Sequence, residues 1–294
     1  MKMTVSQAMV ECLKAENVKV VFGYPGAAIC PFYDALLDAE NDIRQVLVRQ
    51  EANGGHAANG YARISGKPAV CIATSGPGAT NLITAIATAY ADSIPIVCIT
   101  GQVNTDQIGS DVFQEADITG SAEPFVKHSY LLKDPEDTAR VFKEAFYIAG
   151  TGRPGPVLID IPMDVQKAVI DFEYPEKCEI RSYKPTTKGN YVQVRRVMAA
   201  LEEAEKPLIC IGGGVFAADG SGRGEHPADA LRQARAGAED DHQNQPHHLQ
   251  KRHQRTEPGQ CGLSAIHHLG NHHRLCSRQA QFPRQQHRNA LPYV

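Results

Sequence analysis

Apolar residues in the first 165 positions form two kinds of pattern that alternate along the chain. One kind is a short continuous run, seen as VVFG (20–23), QVLV (45–48), AVCIAT (69–74), IPIVCIT (94–100) and PVLIDI (156–161). The other kind spaces apolar residues at helical intervals, over residues 30–39, 51–64, 79–91 and 135–149. Continuous runs are typical of strands in a parallel sheet that is covered on both faces. The alternation therefore predicts an α/β fold with a doubly wound parallel sheet over residues 1–165.

Residues that begin and end helices support this assignment. Thr4 and Gln7 have the spacing of a capping box, and apolar residues follow at helical intervals. Gly66 follows the segment 51–64 and is expected to end its helix. Asp134 and Pro135 precede the last helix of the region, where an aspartate caps well and a proline suits the first helical position.

The pattern changes after residue 165. Residues 166–190 carry Pro175 and Pro185 and lack periodicity, which predicts a linker. Residues 191–205 have helical spacing, and PLICIGGG (207–214) has the features of a strand that runs into glycines. We therefore expect residues 191–218 to open a second α/β domain.

Residues 219–294 differ in composition from the rest of the chain. They hold ten of the 12 His and nine Arg but one Lys, whereas Lys outnumbers Arg before them. Only nine of these 76 residues are Leu, Ile, Val or Phe, so they cannot bury enough apolar surface to form a core. We expect a disordered tail, and a shifted reading frame explains its composition best. A natural disordered tail and a metal site remain open, the latter formed by Cys261, His267, His268, His272, His273 and Cys276.

Overall charge and the cysteine pattern exclude several classes of protein. The formal net charge of −3 gives no general attraction to nucleic acid or to an anionic membrane. No apolar run is long enough to span a bilayer, and the first residues lack the features of a signal peptide. The eight Cys include no CxxC pair, which is typical of reduced thiols in a cytoplasmic protein.

Candidate chemistry lies where strands end. The turn from Ser75 to Asn81 joins a strand to a helix and is rich in glycine, so it either lets a ligand approach the backbone or is only a tight turn between the two elements. Glu51 opens the helix after another strand, so it either performs acid–base chemistry or only complements the helix dipole. His56, one turn further, also fits a packed or surface histidine. Phe113 and Gln114 lie in a stretch without periodicity, and such loops are often functional.

Several long motifs occur together and in a fixed order. They are FGYPGAAICPFYDAL, RQEANGGHAANGYAR, ATSGPGATNLITAIATAYADSIPIVCITGQV, DVFQEADI, GRPGPVLIDIP and PLICIGGG. In this combination the chain resembles the large catalytic subunits of acetolactate synthase, a thiamine-diphosphate-dependent family. The resemblance extends from residue 1 to about residue 218. It covers the family's pyrimidine-binding domain and the opening of its central domain.

The resemblance implies a reaction, its cofactors and its partners. Members of the family condense two pyruvates, or pyruvate with 2-oxobutyrate, and release CO₂ on the way to the branched-chain amino acids. The implied cofactors are thiamine diphosphate, Mg²⁺ and FAD. The implied assembly is a homodimer or higher oligomer through the N-terminal domain, and the family also allows a regulatory small subunit. Neither nucleic acid nor a membrane is an expected partner.

The resemblance also assigns roles to residues of this chain. Glu51 matches the family's essential glutamate, which hydrogen-bonds a ring nitrogen of the cofactor's aminopyrimidine and promotes removal of the thiazolium proton. Other matches fall near the thiamine, along the substrate pocket and near the flavin. The thiamine set is Tyr24, Pro25, Gly26, Pro77 and Asn81; the substrate set is Ala27, Ala28, Phe113 and Gln114; the flavin set is Arg153, Gly212, Gly213 and Gly214.

Departures from the family limit what this chain is expected to do. Met163 stands where many relatives have Lys, which puts the flavin and substrate contacts there in doubt. The third domain, which holds Mg²⁺ and the diphosphate in the family, has no counterpart, and no metal ligands are assigned.

The reading frame after residue 218 is a further departure. Codons for DGSGRG (219–224) can read DAVEE after loss of one base, and relatives commonly have a sequence like DAVEE at this place. We expect a frameshifted, inactive fragment; another thiamine-diphosphate 2-oxoacid decarboxylase and a non-catalytic dimerising remnant are the alternatives.

Overall fold

The computed structural model describes residues 1–208 and 212–218 of the 294-residue chain. Within these residues eight strands form: β1 (Lys2–Thr4), β2 (Val20–Gly23), β3 (Arg44–Leu47), β4 (Ala69–Ala73), β5 (Ile96–Gln102), β6 (His128–Leu131), β7 (Val157–Pro162) and β8 (Val169–Asp171). The same residues form ten α-helices: α1 (Val5–Ala15), α2 (Cys30–Leu37), α3 (Glu51–Ser65), α4 (Pro77–Thr80), α5 (Ile83–Ala91), α6 (Ile118–Ala122), α7 (Thr138–Gly150), α8 (Met163–Lys167), α9 (Tyr191–Glu203) and α10 (Gly213–Ala218).

Six of the strands form one sheet in which every neighbouring pair is parallel. Their order is β3-β2-β4-β5-β7-β6. All residues of β4, β5 and β7 are buried, because helices cover both faces of the sheet at its centre. This explains the continuous apolar runs and confirms the doubly wound α/β fold.

Two apolar layers lie on opposite faces of the sheet. Helices α1, α2 and α7 supply the larger layer, which contains Met9, Phe32, Leu36 and Phe142, all fully buried. Helices α3 and α5 supply the second layer, with Ile86 at its centre. Burial of such side chains is the main favourable contribution to the stability of the domain.

Local capping residues set the limits of several helices as expected. The Thr4 hydroxyl accepts a hydrogen bond from the Gln7 backbone N–H at 3.2 Å, and the Gln7 side chain accepts one from the Thr4 N–H at 3.0 Å. Gly66 ends α3 in the left-handed conformation, with φ of 65°. The predicted capping box and the predicted end of α3 are therefore confirmed.

Helix α3 is stable although it contains glycines, which are poor helix formers. The reason is close packing. A Cβ on Gly55 would lie 2.5 Å from Cβ of Ala85 in α5, and a Cβ on Gly54 would lie 3.3 Å from the Val48 side chain. Only a residue without a side chain lets α3 approach its neighbours so closely.

The structure differs from the expected elements at several places. The single helix predicted over 79–91 is two helices, because hydrogen bonding changes at Leu82, whose N–H donates to Ala79 three residues back. Strand β5 continues through Gly101 to Gln102 instead of ending before Gly101, because it pairs with β7 through these residues. Strand β6 was missed, since an edge strand with no fully buried residue leaves no apolar run.

The segment predicted as a linker begins with ordered structure. Strand β8 pairs antiparallel with β1, so that Lys2 lies opposite Asp171. The Met1 amino group donates to the Phe172 carbonyl at 3.1 Å, and the Phe172 N–H donates to the Met1 carbonyl at 2.9 Å. We call this pairing the terminal clasp. It fastens the segment that follows the sheet to the first residues of the chain.

Beyond the linker, the helix predicted over 191–205 is confirmed as α9, and its capping residue is Asn190. None of its side chains is buried. The strand predicted over 207–214 is wrong at Gly213 and Gly214, which begin α10 instead. Residues 209–211 of that strand, and the tail predicted to be disordered, lie outside the described residues.

The glycines of α3 provide a matched test of the packing argument. Gly55→Ala should lower the free energy of unfolding by about 1–3 kcal/mol, because the new methyl group overlaps Ala85. Gly60→Ala, in the same helix, should raise it by about 0.5–1 kcal/mol, because no atom of the residues that the structure describes lies within 4 Å of the new Cβ. Urea unfolding of the two variants and the parent chain measures both effects. Equal effects of the two substitutions would contradict close packing as the reason for Gly55.

Candidate active site

The candidate residues converge at the edge of the sheet where the parallel strands end. Six segments leave the sheet there, one after each of its six parallel strands. This edge is where open α/β sheets generally bind their ligands. The structure therefore places the thiamine and substrate sets of the sequence analysis at one edge, as their positions after strands predict.

Glu51 and Asn81 are joined directly. The Asn81 side-chain Nδ2 donates to Glu51 Oε2 at 2.9 Å. Asn81 lies at the interruption between α4 and α5, and this interruption turns its side chain towards the start of α3. Glu51 is the first residue of α3, so the helix dipole also favours its negative charge. One carboxylate oxygen is held by Asn81, and the other remains able to accept a hydrogen bond.

The glycine turn leaves room beside this carboxylate. A Cβ on Gly78 would lie 3.3 Å from Glu51 Oε1 and 2.7 Å from Cγ2 of Thr74. Pro77 occupies the first position of α4, as its fixed φ favours. The turn is thus tightly built around Thr74, and the absence of a side chain at Gly78 keeps the face of Glu51 accessible.

The loop that follows β2 packs on the same Thr74. A Cβ on Gly26 would lie 2.5 Å from the Thr74 side chain, and the Ala28 N–H donates to Thr74 Oγ1 at 3.3 Å. From the other side, the buried Gln166 side chain donates to the Ala28 carbonyl at 2.8 Å. Thr74 and Gln166 were missed in the sequence, because nothing in their local pattern marks them as supports of a distant loop.

Tyr24, Pro25, Ala27 and Ala28 occupy this supported loop. Pro25 and Ala27 line a cavity of about 890 Å³, together with Met163 and Tyr33. The Tyr33 hydroxyl is buried there and finds no hydrogen-bond partner among the described residues. The cavity brings Met163, the departure from the family pattern, to the same side as the substrate set.

The segment between β5 and α6 carries Phe113 and Gln114. Phe113 is 86% exposed, and Gln114 has a left-handed backbone with φ of 58°. Gln114 lies against Gly76, where a Cβ would meet the Gln114 backbone at 2.8 Å. The Glu115 carboxylate accepts from the backbone N–H groups of Gly109 and Val112, which lowers the pKa of that carboxyl. The turn at the end of the segment is therefore internally braced while its aromatic side chain faces solvent.

A buried polar network lies beneath this segment. Asp160 of β7 is 1% exposed and accepts hydrogen bonds from Thr100 Oγ1 at 2.7 Å and from Gln102 Nε2 at 2.9 Å. Burial raises the pKa of Asp160 to about 7, the hydrogen bonds from Thr100 and Gln102 oppose this rise, and the nearby charge of Asp117 adds slightly to it. The sequence pattern does not single out this carboxyl group, because it lies within the apolar run PVLIDI.

The flavin set lies elsewhere. Arg153, Gly213 and Gly214 line a cavity of about 780 Å³ together with Pro68 and Pro95. These two prolines precede β4 and β5, so this cavity lies at the opposite edge of the sheet from Glu51. The Arg153 Nε donates to Ser93 Oγ at 2.7 Å, and its guanidinium lies over the Tyr90 ring, 5.8 Å from the centroid. The structure thus separates the flavin set from the thiamine and substrate sets.

His56 of α3 is exposed, as expected for a surface histidine. Among residues 1–208 and 212–218, no group of three or more His, Cys, Asp or Glu could hold a metal ion. In the described part of the chain, no helix combines the length and the apolarity needed to cross a bilayer.

Comparisons with known proteins agree with the geometry of the Glu51 edge. Residues 3–121 match the family described as thiamine pyrophosphate enzyme, N-terminal TPP binding domain. A probable acetolactate synthase large subunit of Methanocaldococcus jannaschii is 50% identical over 214 residues, which are 72% of this chain and 36% of the relative. The acetolactate synthase large subunit of Corynebacterium glutamicum is 49% identical over 218 residues, 74% of this chain and 35% of the relative. The chain thus spans about a third of the length of the curated relatives it matches.

Asp160 makes the stability of the domain depend on pH. Its pKa is about 7 in the folded chain and about 4 in an unfolded chain, so folding favours the neutral form. The stabilisation is complete below about pH 4 and is lost as the pH rises through about 7. Between pH 5 and pH 8 the free energy of unfolding should therefore fall relative to that of Asp160→Asn, by on the order of 3 kcal/mol.

Urea unfolding at intervals of one pH unit measures this difference. Asp171→Asn, at an exposed position of β8, is the matched control and should run parallel to the parent chain. Parallel curves for the parent and Asp160→Asn would show that Asp160 does not change its protonation over this range.

Proposed function

Because residues 3–121 match the family of thiamine pyrophosphate enzymes, and the chain is similar to acetolactate synthase large subunits over about three quarters of its length, we propose that it supplies the pyrimidine-binding part of an acetolactate synthase. The proposed reaction condenses two pyruvates, or pyruvate and 2-oxobutyrate, with loss of CO₂. Its products lead to the branched-chain amino acids. The relatives named above are acetolactate synthases by description, and the motifs shared with that family run through the whole Glu51 edge.

The observation that carries the proposal is the placement of Glu51. One carboxylate oxygen accepts from Asn81, and the other faces the space left by the missing side chain of Gly78. An aminopyrimidine ring placed in that space would have one ring nitrogen next to the free oxygen of Glu51, and the two groups could share a proton through a hydrogen bond. The residues present therefore fit the ring of thiamine diphosphate.

Each remaining residue of the thiamine set has a defined task in this proposal. Asn81 holds Glu51 in one orientation, and Pro77 fixes the turn that leads into α4. Tyr24, Pro25 and Gly26 lie in the loop after β2, which packs on Thr74. Thiamine diphosphate, when bound, supplies the carbanion chemistry, and the protein orients it and excludes water.

The substrate set lies on the flanks of the same edge. Ala27 and Ala28 stand in the loop after β2, and their small side chains leave room for a 2-oxoacid. Phe113 and Gln114 stand on the braced segment after β5 and would contact the substrate from the side of Gly76. Met163 contributes an apolar wall where many relatives have a lysine, so the chain offers no positive charge at that position.

FAD and Mg²⁺ are the further cofactors of the proposal. Arg153 and the glycines from 212 to 214 would hold a flavin dinucleotide, since the guanidinium shares a cavity with Gly213 and Gly214. This fit is incomplete, because Arg153 already donates to Ser93. The described residues contain no ligand set for Mg²⁺, so we propose that another part of the assembly holds the metal and the diphosphate.

The proposed assembly is a cytoplasmic homodimer or higher oligomer formed through the N-terminal domain, with a regulatory small subunit as a further partner. A different 2-oxoacid decarboxylase of the same cofactor class is the nearest alternative, and the motifs DVFQEADI and GRPGPVLIDIP favour the synthase. A non-catalytic dimerising remnant is the alternative from another class.

Glu51 should determine binding of the pyrimidine ring. Thiamine, titrated into the 294-residue chain and followed by NMR, should bind weakly, and Glu51→Gln should weaken binding by about tenfold or more, because a charge-assisted hydrogen bond is lost. Glu40→Gln, at an exposed position before β3 and so at the opposite edge, is the control and should bind like the parent. Equal binding by the parent chain and Glu51→Gln would remove the basis of the proposal.

The chain by itself should form no acetolactate. Pyruvate, thiamine diphosphate, Mg²⁺ and FAD are supplied, and product is measured over a time that allows many turnovers. The diphosphate carries most of the cofactor's charge, and it would remain poorly compensated without a metal site. Sustained formation of acetolactate by the purified 294-residue chain would contradict this expectation. Formation of an aldehyde and CO₂ alone would favour the decarboxylase.

A further inference from the structure

The side chain of Gln102 joins both ends of the segment between β5 and α6. Its Oε1 accepts from the Val103 N–H at 2.9 Å, where the segment begins. Its Nε2 donates to the Ala116 carbonyl at 2.8 Å, where the segment ends. One amide group thus closes the base of a loop, which we call the 103–116 loop.

Asp160 fixes the orientation of this amide. The second N–H of Gln102 Nε2 donates to Asp160 Oδ2 at 2.9 Å, and Thr100 Oγ1 donates to Oδ1 at 2.7 Å. Strand pairing sets these positions, because Thr100 lies opposite Asp160 in the register of β5 and β7. Without Asp160, a buried N–H of Gln102 would lose its acceptor, and the amide could turn away from Val103 and Ala116.

The position of Phe113 and Gln114 depends on this closed base. The loop is also held from its sides: the Thr105 N–H donates to Asp164 Oδ1 at 3.0 Å, the Thr105 hydroxyl donates to Asp164 Oδ2, and Gln114 lies against Gly76. None of these contacts joins the two ends of the loop. Gln102, oriented by Asp160, is therefore the link between the buried sheet and the loop as a whole.

We propose that Asp160 is a positioning residue for the 103–116 loop: acting through Gln102, it closes the base of the loop and fixes where Phe113 and Gln114 stand beside Gly76. Only the substrate-facing role of Phe113 and Gln114 rests on the proposed function. The coupling between Asp160 and the loop stands on the hydrogen bonds themselves.

Opening of the loop should depend on pH, because it is coupled to the ionisation of Asp160. Opening the base of the loop would admit water to Asp160, and a hydrated carboxyl ionises at lower pH than a buried one. Ionisation therefore favours the open loop. Asp117, the capping residue of α6, is the charged group that faces Asp160 from the neighbouring elements, and its negative charge acts in the same direction.

A single tryptophan can report the state of the loop. The chain contains no Trp, so Phe113→Trp places the only one at the exposed end of the loop. Fluorescence anisotropy of the introduced tryptophan and hydrogen exchange of the Val103 amide are measured in the 294-residue chain. In this background we compare Asp160→Asn, Asp160→Leu and Gln102→Leu.

The three substitutions have distinct expected results. Asp160→Asn should keep the loop closed, because its Oδ1 can accept from Gln102 while its Nδ2 donates to the Thr100 hydroxyl. Asp160→Leu and Gln102→Leu should lower the anisotropy of the introduced tryptophan and speed the exchange of the Val103 amide by about tenfold or more. Asp171→Asn, far along the chain in β8, is the control and should change neither readout.

The pH dependence separates positioning from a general structural role. After correction for intrinsic exchange rates, opening at Val103 should increase by about tenfold between pH 6 and pH 8 in the parent and stay constant in Asp160→Asn. If Asp160→Leu fails to fold, Gln102→Leu and the pH dependence of the parent against Asp160→Asn still test whether Asp160 positions the loop. An unchanged loop in Gln102→Leu, or the same pH dependence in Asp160→Asn as in the parent, would overturn the proposal. If the parent chain binds no thiamine but its loop opens with these substitutions and with pH as expected, the result counts against the proposed function alone.

Discussion

The parallel pairing of β4, β5 and β7 is the constraint on which the rest of the structure depends. These strands are buried on both faces, so their residues must be apolar or must find partners within the sheet. The common direction of all six strands sends every following segment to the same edge, where six segments leave the sheet. A residue that is remote in sequence can therefore reach Glu51 only because the strands before it run the same way. The site is a consequence of the direction of the strands rather than of any single motif.

The site also requires that its loops and helices pack closely against one another, and this requirement accounts for many of its small residues. Thr74 contacts the positions of Gly26 and Gly78, so one side chain supports two walls. Gly55 lets α3 lie against α5, which sets the direction in which Glu51 emerges. The helix gives up intrinsic stability at each glycine, and tertiary packing compensates for the loss.

Much of the fold could be predicted because its causes are local. Continuous apolar runs indicated the buried strands, and the capping box at Thr4 indicated the start of α1. Glu51 could be placed at the edge because it follows a strand. The remaining features depend on partners distant in sequence: the interruption at Asn81, the support of Ala28 by Gln166, and the burial of Asp160 beneath Gln102. The roles of individual residues came from resemblance to a family, and the structure adds which of them share an edge. It also separates Arg153 from Glu51, which spacing along the chain does not reveal.

The terminal clasp has a mechanical consequence. Because β1 and β8 are antiparallel, Met1 and Phe172 lie side by side at one end of the pair. Tension that separates these two residues acts on the hydrogen-bonded pairs one after another, from Lys2 opposite Asp171 towards Thr4 opposite Val169. A strand pair peeled in this way resists less force than one that must slide as a unit. A protease or translocase that draws the chain in from the linker side would therefore first detach Tyr183 from Thr151 and Tyr174 from Glu16, and would then open the clasp before the strands of the six-stranded sheet separate.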